Sequence, residues 1–151
     1  MSFKEKNIVV TLVIFTLILA FYLVSVFQMI QSETFESPNV FRLWWIIIFL
    51  AVVVTIVATI LTHAAPIIIR AIRTGEKEPG IDDLEDERDR LIDLQGTKVT
   101  YLVASIGSLV AMLTFVFGQP PLVMFTLLIF FGVLAQIIGD ISRLVRYRGG
   151  F

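Results

Sequence analysis

The sequence predicts an all-α integral membrane protein: four transmembrane helices in two antiparallel hairpins, with an acidic helical stalk on the cytoplasmic side. Three observations carry that expectation. Of 151 residues, 57% are hydrophobic and 17% charged, with a mean hydropathy of +0.89, a balance unlike that of water-soluble domains. All but three of the charged side chains fall within residues 1–6, 70–98 and 140–148. Between these groups lie four nearly charge-free stretches of roughly 20 residues or more, enough to cross a hydrocarbon layer of about 30 Å as helices. Lipid offers no hydrogen-bond partners, so each stretch must close its own backbone bonds, and barrel strands would alternate greasy and polar residues as these do not.

The first span, residues 8–30, contains no ionisable group except Tyr22. Its 23 residues exceed a signal-peptide core of about 7–15, and no small-x-small cleavage pattern follows, so it reads as a retained anchor. The second, residues 41–63, opens near Trp44 and Trp45, amphipathic rings suited to the headgroup level. It carries a stripe of small and hydroxyl residues, Ala51, Thr55, Ala58 and Thr62. The third, residues 98–117, holds two small-xxx-small pairs, Ala104 with Ser108 and Gly107 with Ala111. In the fourth, residues 121–145, Gly132, Ala135 and Gly139 are expected on one face. Small side chains let backbones approach, and the short GQPP turn keeps these two spans side by side as a tight hairpin.

Eleven of the twelve Lys and Arg residues lie at the N-terminus, between spans two and three, or at the C-terminus. Positively charged loops resist translocation, so both termini and the middle connection are expected in the cytoplasm of a multi-pass plasma (inner) membrane protein. That connection, residues 66–97, divides in two. Pro66, Gly75 and the Ile/Arg pattern of residues 67–73 suggest a short helix lying along the headgroups. Asp82 with Glu85 then forms a variant capping box opening an acidic helix, and seven carboxylates fall within residues 82–93, complementing the helix dipole. Helical spacing pairs Asp86 with Arg90, Glu85 with Arg88 and Glu87 with Arg90. Leu84, Leu91 and Leu94 recur near the same spacing, free to pack on the bundle or a partner. The helix is able to continue into the third span, with Gly96 as the weak point.

Two uses for this acidic helix compete with simple solvation. Glu85, Asp89 and Asp93, four apart, invite a divalent cation, but neither an EF-hand glycine and closing glutamate nor a Glu-x-x-His pair accompanies them, so no metal is expected. Protein docking is the better candidate, through Asp82, Asp83, Glu85, Asp86, Glu87, Arg88, Asp89, Arg90 and Asp93. A second candidate is a polar cluster at the inner membrane boundary, His63, Tyr101, Gln136, Asp140 and Arg143, with Thr97 and Thr100 at the same level. Its simpler reading is that helix ends are polar because headgroups and water are there.

The absence of cysteine excludes disulfides, thiolate metal sites and cysteine nucleophiles. No nucleophile elbow, phosphate loop, zinc helix or dinucleotide fingerprint occurs, so neither catalysis nor a cofactor is expected. Nor is nucleic-acid binding, since residues 66–98 hold nine acids against six bases.

At DERDRLIDLQGTKVTYLVASIG, residues 86–107, the chain resembles a set of small prokaryotic four-span membrane proteins of unknown function, in which an Asp-Glu-Arg-rich juxtamembrane stretch leads into a closing helix pair. The resemblance implies a bacterial or archaeal inner-membrane protein and brings no activity with it. Some members appear beside small cytoplasmic regulators, which favours the docking use of the stalk. The expected function is a non-enzymatic partner-binding or regulatory module or accessory subunit, set in the lipid bilayer and joined there by a protein partner or by further copies as a homo-oligomer. The alternative is a small oligomeric transporter or channel with Asp140 and His63 as titratable gates, ranked second because the first three spans lack the buried acidic residue that four-span exporters carry.

Overall fold

The computed structural model describes residues 3–61 and 87–149, Phe3 by its backbone alone. They form four helices: α1 (Phe3–Gln31), α2 (Ser37–Thr59), α3 (Glu87–Val116) and α4 (Pro121–Gly149), with no strand among the described residues. Each is long and apolar enough to cross a membrane, and only 11–22% of the most apolar stretch of each is buried within the protein. Most of the apolar surface therefore faces outward, far beyond the few hundred Å² that a water-soluble monomer tolerates.

Both visible turns close in the same way. At the end of α3, Gln119 N–H donates to the Thr114 carbonyl (3.0 Å) and Gly118 N–H to that of Phe115 (3.0 Å), a Schellman cap with Gly118 in the left-handed region at φ 84°. Pro121 then starts α4 where its missing N–H costs nothing. After α1, Thr34 N–H bonds the Met29 carbonyl (2.9 Å) and Glu33 N–H that of Ile30 (3.4 Å), but the left-handed position, φ 55°, is held by Glu33. The second helix begins at Ser37 rather than at residue 41: Glu36 is extended and Pro38 occupies the first turn, which shortens the connection to residues 32–36.

The third helix also starts earlier than its apolar stretch. It runs unbroken from Glu87 through Gly96, so the described part of the acidic stalk is the first two turns of α3. Gly96 does not interrupt it because the residue is buried against α4, where any Cβ would strike the Arg143 side chain. Leu91 and Leu94 turn outward, and Ile92 with Gly96 supplies the buried face instead.

The fourth helix is the hub, since α1, α2 and α3 each pack against it. Its seam with α3 is an antiparallel zipper. Arg143 covers Gly96, Thr100 fills the space beside Gly139, and Phe131 fills that beside Gly107. The α4 members are spaced by four or eight, so the seam follows a four-residue ridge. Gly132 lies one residue off that ridge and is exposed to open space, so the expected Gly132, Ala135 and Gly139 face holds only for the last two. On the other flank, Phe15, Ile18 and Tyr22 of α1, Leu43 and Ile47 of α2, and Val133 and Ile137 of α4 form one apolar layer. Tyr22 hydroxyl is satisfied there by donating to the Thr126 carbonyl, 2.7 Å away.

Candidate binding site at the charged end of the bundle

Opposite the two turns, the N-terminal ends of α1 and α3 meet the C-terminal end of α4, and charged groups concentrate there. Asp140, Arg143 and Tyr147 follow one another by three and four residues, so α4 presents all three from one face. Arg143 is the centre. Its Nε donates to Asp93 Oδ1, its Nη1 to Asp140 Oδ1 and its Nη2 to Thr97 Oγ1, each at 2.9 Å. One planar guanidinium thus ties α4 to α3 at two points, a geometry a lysine ammonium does not reproduce. Beside it, Arg146 donates to Gln95 Oε1, and Tyr147 hydroxyl donates to Asp89 Oδ1 at 2.9 Å. Asp89 Oδ2 also pairs with Lys4 Nζ at 3.4 Å, which brings in α1. The Arg148–Glu5 pair, 3.3 Å, has a largely exposed guanidinium and adds little.

Asp140 is the unusual member. It is 3% exposed, and its Oδ1 accepts from both Arg143 and Gln136 Nε2, the latter at 3.2 Å. Its Oδ2 is buried with no hydrogen-bond partner among the described residues. Thr11 hydroxyl lies beside the carboxyl and within reach of the Asn7 and Ile8 carbonyls as well, at 3.2 and 3.0 Å. A buried carboxylate oxygen without a donor is costly. It lines a cavity of about 180 Å³ bordered by all four helices, Thr11 and Phe15 of α1 and Thr55 and Thr59 of α2 included.

Of the expected boundary cluster, Gln136, Asp140 and Arg143 come together. Tyr101 does not: five residues beyond Gly96, it sits about 140° around α3 from the α4 seam and is 69% exposed. His63 lies outside the described residues, as do Asp82, Asp83, Glu85, Asp86 and residues 67–73. Within the described stalk, Glu87, Arg88 and Arg90 face outward, while Asp89 and Asp93 are tied across the bundle to α1 and α4. From the sequence, Lys4 and Arg146 count only as charges that set the topology, and Thr11, Gln95 and Tyr147 carry no role. Tyr147 was within reach, being four residues from Arg143 on the same face, whereas nothing local links Lys4 to Asp89. Comparison of the chain with protein-family models, curated proteins and solved structures found no match.

Proposed function

We propose that the chain is a non-enzymatic integral membrane protein with both termini in the cytoplasm, acting as a partner-binding module or accessory subunit. Helix length supports this reading. Helices α1, α3 and α4 have 29, 30 and 29 residues, or about 44 Å each, against a hydrocarbon layer of about 30 Å. With the turns near the far headgroups, all three stand roughly 14 Å proud at the charged end, and the distribution of Lys and Arg assigns that end to the cytoplasm.

One observation carries the docking surface. On this projecting part of α3, Glu87, Leu91, Leu94 and Lys98 share one exposed face with Arg90 beside them. Leu91 and Leu94 are 50% and 52% exposed at a level lipid chains do not reach. Two uncovered leucines ringed by both signs of charge suit a helix or loop of another protein. The docking face is therefore this mixed stripe, since Asp89 and Asp93 are already occupied. Transport through a single copy has less support, because Phe15, which borders the cavity, belongs to the apolar layer that blocks its continuation toward the turns.

The test is crosslinking and affinity purification from native membranes with the wild type and a Leu91→Glu, Leu94→Glu double variant. The variant is expected to keep its helix content and lose its specific partners. Recovery of the same partners from both would remove the proposal.

A further inference from the structure

Two spaces open side by side at the charged end. The polar cavity beside Asp140 and an apolar groove of about 150 Å³ between α1 and α2 are both lined by Asn7, Thr11 and Ala58, so they meet along one edge. The rest of the groove wall is hydrocarbon: Val10 and Ile14 of α1, with Val53, Val54 and Val57 of α2 across from them. A helical valine is held near one rotamer and is too short to reach across, so side-chain motion does not close the gap.

The depth of the meeting point matters. Thr11 lies roughly 20 residues from Gln31 at the turn end of α1, and Val57 the same from Ser37 at the start of α2, about 30 Å along either helix. The two spaces therefore meet at the edge of the hydrocarbon layer nearest the charged end. Val10 is 52% exposed and Val57 49%, so the groove opens sideways to lipid. Its apolar half stands where lipid chains begin, and its polar half where lipid heads are.

The polar half indicates what kind of head it takes. Its ionisable groups are already paired with one another: Lys4 with Asp89 at 3.4 Å, Tyr147 with Asp89 at 2.9 Å, and Arg143 with Asp93 and Asp140 at 2.9 Å each. None of them calls for a charged head. Asp140 Oδ2, however, has no hydrogen-bond partner among the described residues, and the amides of Asn7 and Gln136 border the same space. A hydroxyl can donate to the carboxylate and accept from an amide, and it leaves water at far less cost than a charge.

We propose that the adjoining spaces hold a membrane lipid with an uncharged, hydroxyl-bearing head, the head beside Asp140 and the start of one acyl chain between Val10 and Val57. An apolar cavity of roughly 150 Å³ accommodates benzene, so the groove takes about six carbons of the chain and the remainder continues into the bilayer. Lipid tails are as apolar as the groove. The chain therefore fixes the position of the lipid, and the hydrogen bonds of its head supply the preference over bulk lipid.

The experiment uses the full-length protein in phosphatidylcholine nanodiscs with a monoacylglycerol carrying a diazirine near the head end of its chain, photolysed and mapped by mass spectrometry. Saturable labelling is expected at Val10, Ile14, Val53 and Val57. It should be displaced by 1-decanoylglycerol, while methyl decanoate, the same acyl chain without the hydroxyls, should need a roughly tenfold higher mole fraction. Val57→Phe fills the groove and should abolish the labelling, whereas Val13→Phe, on an exposed part of α1 outside the groove, should leave it unchanged. The two competitors decide the matter on the wild type alone if Val57→Phe does not fold. Labelling spread evenly over the outward faces of the four helices, equal displacement by methyl decanoate, or unchanged labelling in Val57→Phe would each overturn the assignment.

Discussion

The two hairpins are built from the same parts and pack differently. In α3–α4 the backbones come close: the Gly96 carbonyl is 3.4 Å from where a Gly139 Cβ would stand, and Thr100 and Phe131 fill the other glycine notches. In α1–α2 large side chains, Phe15, Ile18, Tyr22, Leu43 and Ile47, do the packing from the middle of the helices toward the turn. Toward the charged end the same pair leaves gaps: the polar cavity, and an apolar groove of about 150 Å³ between Val10 and Ile14 on one side and Val53 and Val57 on the other. Small residues make a seam, and large ones make a layer with space beyond it. The close-packed seam carries the ion network, and the more open pair supplies room beside it.

That contrast can be broken most severely at Arg143. Arg143→Ala leaves Asp140 buried with only the neutral Gln136 and Thr11 beside it among the described residues and should destabilise the bundle by about 3–5 kcal/mol, read from denaturant titration in mixed micelles. Arg143→Lys keeps the charge without the fork and should fall between the two. A loss under 1 kcal/mol for the alanine variant would mean that the network is not what holds α3 to α4.

Next is the seam itself. Gly139→Val drives a branched side chain into Thr100 and should cost about 1–3 kcal/mol, while Gly132→Val, facing open space, should change little. Equal effects at the two glycines would place the seam on the wrong ridge. In the looser hairpin, Tyr22→Phe removes only the bond to the Thr126 carbonyl, for a loss of about 0.5–1.5 kcal/mol in the same titration.

The smallest change has the opposite sign. Glu33 occupies the cap position that Gly118 fills in the other hairpin, and a Cβ in the left-handed region costs roughly 1–2 kcal/mol. Glycine gives back part of that through the greater freedom of its unfolded chain. Glu33→Gly should therefore stabilise the protein by about 0.5–1 kcal/mol, and a lower denaturation midpoint would show that the Glu33 side chain has a role of its own.

The fold was legible because lipid-scale helices announce themselves by length and by the absence of charge. The small residues Gly107, Ala111, Ala135 and Gly139 marked the seam correctly, and GQPP marked its turn. Gly132 misled because a seven-residue repeat keeps to one face of an isolated helix, whereas the actual contact follows steps of four as the helices cross. The Asp140 and Arg143 pair was legible from its spacing of three. The outward turn of Tyr101 and the capture of Asp89 by Lys4 and Tyr147 were not.

Periodicity and composition, which act within one helix, determined by themselves that this chain forms four long apolar helices with its charges gathered at a few places. Which carboxylates face inward, which oxygen of Asp140 has no donor, and where a cavity remains were decided only by the tertiary structure. Each depends on the rotation and crossing of one helix relative to another, set by which side chains interlock between segments as far apart in sequence as Lys4 and Tyr147.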